Sequence, residues 1–223
     1  MDLVRAAELR HAVRDYKKQP LKADDINVLV ELIDELNERY GLHIQLAVDE
    51  PKSFRGFKAF LGGFSNVNNY LCLVGPKASG TDAVIGYAGE ELVLLAQQLG
   101  LNTCWVYATY RAVEDVVKIE DGEKLYIEIA FGYGVTQGDL HKSKKFEDVS
   151  KTAQGDAPDW YKEGVRLALL APTAMNKQKF TFELAGGNKV KLKAGSGACT
   201  GIDLGIVKKH FEIGAGTENF EWA

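Results

Sequence analysis

The pattern of apolar and polar positions divides the chain into alternating helical and extended stretches. Leu3, Ala7, Leu9 and Val13 fit an opening helix that runs out at Asp15 and Tyr16. Pro20 then forces extended backbone and a turn. Ile26, Leu29, Val30, Ile33, Leu36 and Tyr40 recur at helical spacing, which predicts a second helix capped by Asp24 or Asp25 and stopped by Gly41. Ile44, Leu46 and Val48 alternate with His43, Gln45 and Ala47, the period of a strand. Residues 54–64 form an aromatic, glycine-rich connection. Tyr70-Leu71-Cys72-Leu73-Val74, closed by Gly75-Pro76, is unbroken in apolar character and reads as a buried central strand. Thr81 or Asp82 caps a long helix. Its stripe of Ile85, Ala88, Leu92, Leu95, Ala96 and Leu99 is widened by Val93 and Leu94, so most of its sides should be covered. Residues 125–131 are a further strand.

Residues 135–156 are polar and charged and read as a linker. Asp156 and Pro158 open a helix carrying Trp160, Gly164, Leu167, Ala168 and Ala171 on one face, and Pro172 stops it. Phe180, Phe182 and Leu184 alternate, Gly186-Gly187-Asn188 turns, and Val190 and Leu192 alternate again, which predicts a hairpin. A last helix runs from about Asp203 to Ile213. Residues 86–97 and 205–216 echo one another weakly in their spacing of glycine, apolar and charged positions, compatible with two related halves meeting near residue 150.

Composition narrows the classes. A length of 223 residues fits one large domain or two small ones, and a formal net charge of −4 argues against nucleic acid or an acidic membrane as the main partner. No stretch is long and apolar enough for a membrane helix, and the N-terminus lacks the apolar core of a secretory signal. Cys72, Cys104 and Cys199 are odd in number and unpaired in spacing. They are expected to be buried free thiols of a cytoplasmic protein, with no metal site.

Candidate chemistry begins with Arg10-His11-Ala12-Val13-Arg14. Paired guanidiniums beside an imidazole suit a phosphate, because the arginine fork matches phosphate oxygens. Solvated charges at a helix end explain the same spacing. Residues 132–138 have the spacing GxGxxxG with no apolar helix behind them, so a dinucleotide fingerprint is set aside. Residues 195–201 are glycine-rich, lack the phosphate-loop Lys, and read as a flexible loop. Lys142, Lys144 and Lys145 are a solvated face by default. His43, His141 and His210 read as surface residues, and Asn66, Asn68 and Asn69 as a turn.

Four stretches nevertheless resemble the FMN-dependent nitroreductase family. They are Arg10-His11-Ala12-Val13-Arg14-Asp15-Tyr16 followed by Pro20, the helix and following residues 92–105, Ala130-Phe131-Gly132-Tyr133-Gly134 followed by Lys142-Ser143-Lys144, and residues 167–178 with Ala171-Pro172-Thr173-Ala174-Met175-Asn176-Lys177-Gln178. The resemblance implies an α+β fold with an antiparallel sheet flanked by helices. It implies that Arg10, His11, Ala12 and Arg14 hold the phosphate and pyrimidine side of FMN. Lys144 with Lys142 would be a second phosphate contact, where the family more often has Arg. Trp105, Val106 and Tyr107 would form a turn along the flavin edge. Pro172, Thr173, Met175 and Asn176, supported by Gln178, match a segment that reaches the flavin from a partner subunit in the family's dimers. The implied reaction carries a hydride from NADH or NADPH through FMN to a nitroaromatic, quinone or similar small-molecule acceptor. No protein group is implied as catalytic.

Two departures matter. Lys179-Phe180 stands where the family usually has Pro-Trp, and residues 26–41 fill the slot of the Pro-Ser/Thr motif without carrying it. The economical reading is a fused pseudo-dimer of unequal halves, 1–150 and 151–223, monomeric or weakly self-associating, with one FMN. The alternative is a flavin-binding or flavin-handling protein without reductase turnover.

Overall fold

The computed structural model describes residues 1–140 and 142–223, so the expectation for His141 lies outside the described residues. In chain order the elements are α1 (Leu3–Leu9), α2 (Ala23–Tyr40), β1 (Gln45–Ala47), α3 (Phe57–Leu61), β2 (Asn69–Pro76), α4 (Thr81–Gln98), β3 (Asn102–Val106) and β4 (Glu123–Gly132). Then come α5 (Phe146–Val149), α6 (Asp159–Ala168), β5 (Phe180–Leu184), β6 (Lys189–Ala194), α7 (Thr200–Ala215) and β7 (Glu221–Trp222). The fold class is α+β. The chain forms two compact units: one of Met1–Leu9, Asp82–Glu91 and His141–Ala223, the other of Arg10–Thr81 and Leu92–Leu140. This partition differs from a division at residue 150, because α1 and the first half of α4 belong with the C-terminal elements.

The second unit is built on an antiparallel sheet of order β1-β2-β4-β3. Seven of the eight residues of β2 are buried, as a continuous apolar run in a central strand requires. One sheet face carries Tyr70, Cys72, Val74, Ala130 and Val106, packed with Val13, Tyr16, Phe54, Ala59 and Val67. A single carboxylate interrupts this layer. Glu128 lies opposite Cys72 and is fully buried, and Ser53 Oγ donates to its Oε2 at 2.6 Å. Burial pushes its pKa up to about 8, against the pull of the Ser53 hydrogen bond.

The opening helix is shorter than its periodicity implies. It ends at Leu9, and the following residues are extended along β3. Ala12 bridges Thr103 in parallel, Val13 N donates to Thr103 O at 3.0 Å, and the Tyr16 hydroxyl donates to Val13 O at 2.6 Å. β3 is an edge strand, so satisfying its backbone outweighs one more helical turn. The expected Asp24 or Asp25 cap is also absent. α2 begins after Lys22 with no side-chain cap, and both aspartates sit in its first turn, where they favour the helix dipole. Gly41 ends α2 as expected, at φ 61°.

In the first unit α6 packs on α7, and the expected hairpin is present as β5 and β6, with β7 parallel to β6. Phe211 of α7 is its aromatic hub. Its ring stacks on Phe182 at 4.6 Å and meets Tyr161, Phe220 and Trp222 within 6 Å. A Cβ at Gly164 would lie 2.7 Å from the Phe211 ring, so α6 approaches closely only because that residue is glycine. Phe211→Leu should cost about 2 kcal/mol, read by urea denaturation; a loss below about 0.5 kcal/mol would contradict the hub role.

α7 also crosses the first half of α4 with a local two-fold relation. A Cβ at Gly86 would lie 2.0 Å from Ile202 O, and one at Gly205 would lie 1.9 Å from Ala83 O. Each glycine thus faces the carbonyl one turn before the other glycine. The flanking side-chain pairs repeat the relation: Glu91 with Lys209 at 3.3 Å, and His210 with Glu90 at 2.8 Å. His210 is therefore not the surface residue its isolation in sequence implies. It is fully buried, with Nδ1 donating to Leu167 O at 3.1 Å and Nε2 on Glu90.

Residues 142–156 are not a bare linker. They contain α5, and Ser150 bridges Phe182 and hydrogen-bonds the Tyr161 hydroxyl at 3.1 Å. Cys72 and Cys104 are buried, whereas Cys199 is only partly so. Among the described residues no helix is long and apolar enough to cross a membrane.

Candidate functional site

The candidate residues fall into two groups, one in each unit, and each group is internally assembled. In the second unit the segment carrying Arg10, His11, Ala12 and Arg14 is held at both ends. Residues 102–106, expected as part of a turn, form β3 instead, and this strand receives Ala12 and Val13 at Thr103. Beyond the bridge, Ser65 N donates to Arg14 O at 2.9 Å and Lys17 N to Tyr133 O at 2.8 Å. Gly138 closes over the segment, since a Cβ there would lie 2.7 Å from His11 Cβ and 3.0 Å from Ala12 O at a left-handed φ of 77°.

This placement brings the cations beside β3. Arg10 is 3% exposed, a desolvated position for a permanent charge, while Arg14 is exposed with its guanidinium over the Phe64 ring at 5.8 Å. Burial pushes the Cys104 thiol up, and Arg14 and Arg10 both pull it down, which locates the two guanidiniums near the same strand. Trp105 is half-buried, Val106 buried and Tyr107 exposed as the chain leaves β3. The unit therefore presents one buried and one exposed arginine next to a strand end with an exposed aromatic ring.

In the first unit the structure joins Lys142 and Lys144 to residues 173–178. Asn176 Nδ2 donates to Lys142 O at 2.8 Å. Gln178 is 1% exposed and is spent as a clamp. Its Oε1 accepts from Lys144 N at 2.7 Å, its Nε2 donates to Leu169 O at 2.8 Å, and its backbone N donates to Thr173 Oγ1 at 3.0 Å. Lys144 Nζ in turn donates to Gln178 O at 2.8 Å. Gln178 thus supports the segment, while Lys142 remains exposed.

The segment so clamped is strained. Met175, Asn176 and Gln178 all take left-handed backbone, at φ 53°, 53° and 46°, and Met175 is 87% exposed. Non-glycine residues hold such angles where the surroundings impose them, commonly at binding sites. One residue imposing them is absent from the sequence-based candidates. Asp203 of α7 accepts the Ala174 N–H on Oδ1 at 3.0 Å and on Oδ2 at 3.2 Å. Its only signal in sequence is an aspartate near a helix start. Among the described residues no group of three or more His, Cys, Asp or Glu is placed to hold a metal ion.

Comparison with known proteins assigns the scaffold. The family described as "Putative TM nitroreductase" accounts for residues 2–215. The chain belongs to this nitroreductase family. The chain shares its fold with a solved structure described as a putative nitroreductase from Thermotoga maritima, at 20% identity and TM-score 0.69 over 96% of this chain and 83% of that one. A nitroreductase family protein from Streptococcus pneumoniae is similar at 11% identity and TM-score 0.55, covering 68% of this chain and all of that one. No curated protein matches the chain.

Proposed function

We propose that this nitroreductase is an FMN-dependent oxidoreductase. Bound FMN would supply the redox chemistry, hydride transfer from NADH or NADPH to a nitroaromatic, quinone or similar small molecule. The observation that carries the reading is the Arg10 to Arg14 segment, laid along β3 with one guanidinium buried and one exposed, in a chain of this family. The donor set fits the group. Arg10 and Arg14, with His11, neutralise the phosphate, and Ala12 contributes backbone. Trp105, Val106 and Tyr107 line the ring edge. In the first unit Lys142 and Lys144 add positive charge beside Pro172, Thr173, Met175 and Asn176, braced by Gln178, as a second set of candidate FMN contacts. No side chain is assigned a proton transfer. The reciprocal crossing at Gly86 and Gly205 supports descent of the two halves from a two-subunit arrangement, and with it a monomer or weak homo-oligomer; the free cysteines fit a cytoplasmic protein.

Purified protein should be yellow, or become so with one equivalent of FMN. Arg10→Ala together with Arg14→Ala should weaken FMN binding about 100-fold in a fluorescence titration, since each charge-assisted contact is worth about 1.5 kcal/mol or more. Unchanged affinity in that variant would remove the basis of the assignment. One observation favours the second reading, flavin binding without turnover. Phe180 is buried in β5 and Lys179 Nζ donates to Ser196 O at 2.7 Å, so neither is spare to form a substrate wall. Anaerobic bleaching of bound FMN by NADH or NADPH supports the reductase; no bleaching supports the binding protein.

A further inference from the structure

We propose that Asp203 is a positioning residue that sets the flavin-contacting turn at residues 173–176 and couples its order to pH. The consequence for flavin rests on the reading in the preceding section; the anchoring itself does not.

The argument starts from the backbone. Residues 174–176 form a single 3-10 turn preceded by Thr173 in extended conformation. Such a turn leaves its first N–H groups without partners inside the turn. Thr173 supplies no side-chain cap to the turn; its Oγ1 accepts instead from Gln178 N at 3.0 Å. The donor Ala174 N is taken by both oxygens of Asp203, which reaches it from α7, 29 residues later. Immediately after this anchor the chain enters the left-handed backbone of Met175 and Asn176. An anchor before the strained residues and the Gln178 clamp after them leave the turn one conformation, with Met175 outward. The carboxylate is 7% exposed, so this hydrogen bond is made where water competes poorly.

The same burial makes the anchor titratable. Burial raises the Asp203 pKa from its ordinary 3.8 to about 6, opposed by the Ala174 N–H and by Lys179. The charged and titratable groups around it are Lys179, Cys199, whose thiol Asp203 helps to push up, and Asp82 of α4, whose carboxylate lies over Gly201 in the first turn of α7. Above pH 6 both Asp203 oxygens accept. Below it one becomes an O–H donor and the charge-assisted hold on Ala174 N is lost. The local hold on Ala174 N therefore weakens as pH falls through about 6, while burial, the larger cause of the raised pKa, makes the same protonation favour the folded chain as a whole.

Two measurements test this on the intact chain. In ¹⁵N spectra of the flavin-free protein, the amide of Ala174 should shift with a midpoint near pH 6, and Asp203→Asn should abolish that titration. In FMN titrations, Asp203→Asn should bind about tenfold more weakly than the natural chain at pH 7.5 and nearly equally at pH 5. The ratio of the two is the readout, because the FMN phosphate itself titrates near pH 6. An Ala174 amide that stays still between pH 5 and 7.5, or equal FMN affinity of the two proteins at pH 7.5, overturns the proposal. Should Asp203→Asn fail to fold, the amide titration of the natural chain still decides the anchor. A natural chain that titrates at Ala174 yet binds no FMN sinks the flavin reading and leaves the anchor standing.

Discussion

Gly205→Ala should destabilise the protein by about 3–5 kcal/mol and lower its melting temperature by roughly 10 °C. The added methyl would sit 1.9 Å from Ala83 O and 2.5 Å from Tyr87 N, both backbone atoms of α4 that cannot rotate away. Relief therefore requires α4 and α7 to separate. Separation in turn stretches the bonds that flank the crossing: Tyr87 Oη to Glu212 at 2.5 Å, Lys209 to Glu91 at 3.3 Å, and the fully buried His210–Glu90 pair at 2.8 Å. Weakening a buried pair is expensive because each partner has given up water. Gly155→Ala is the matched control, since a methyl there would meet nothing within 4 Å and its backbone is not left-handed. Thermal unfolding followed by circular dichroism compares the two. A Gly205→Ala protein within about 1 kcal/mol of the parent would mean that the helices do not approach as closely as the glycines imply.

The crossing also marks how far the sequence could be read. The echo between residues 86–97 and 205–216 was visible as spacing, but spacing does not say that the two glycines face each other. Elements whose signal lies in their own stretch of chain were legible: α2 with its Gly41 stop, the hairpin of β5 and β6, and the apolar runs of β2 and β4. Elements decided by distant partners were not. Val13 continues a helical period, yet its amide is claimed by Thr103, so the backbone leaves α1 after Leu9. His210 has no ligand-like neighbour in sequence, and Glu90 meets it only once two helices have packed. The candidate site divides the same way. Arginine and Pro-Thr motifs carry recognisable residue types, whereas Asp203 joins the candidate site only through the Ala174 amide it reaches. Gln178 shows the converse, a motif residue whose side chain is spent on Lys144 N and Leu169 O.

Glu128→Gln should make the protein more stable than its parent at pH 8 while leaving the two similar at pH 5. Glu128 is the carboxylate buried in the apolar face of the second unit's sheet, with Ser53 Oγ on Oε2 and Cys72 Sγ 4.0 Å from Oε1. Among the described residues no cation contributes to its shift; Tyr70 and Tyr110, both pushed up by burial, and the Cys72 thiol, raised by burial and by Glu128 itself, are its titratable neighbours. The folded pKa of about 8 lies far above the ordinary 4.5. Between those values the native state holds a proton that the unfolded chain has released. Stability from this group is therefore full below about pH 4.5 and falls as pH rises towards 8, by up to about 1.4 kcal/mol per pH unit. Asp203 contributes a slope of the same sign, but only up to about pH 6, so the interval from 6.5 to 8 isolates Glu128. Glutamine keeps the shape and an acceptor for Ser53 and cannot ionise. Urea denaturation at half-unit steps of pH should show the parent losing stability across that interval while the variant stays flat. Parallel curves for the two proteins would place the titration elsewhere and refute a protonated Glu128 in the core at neutral pH.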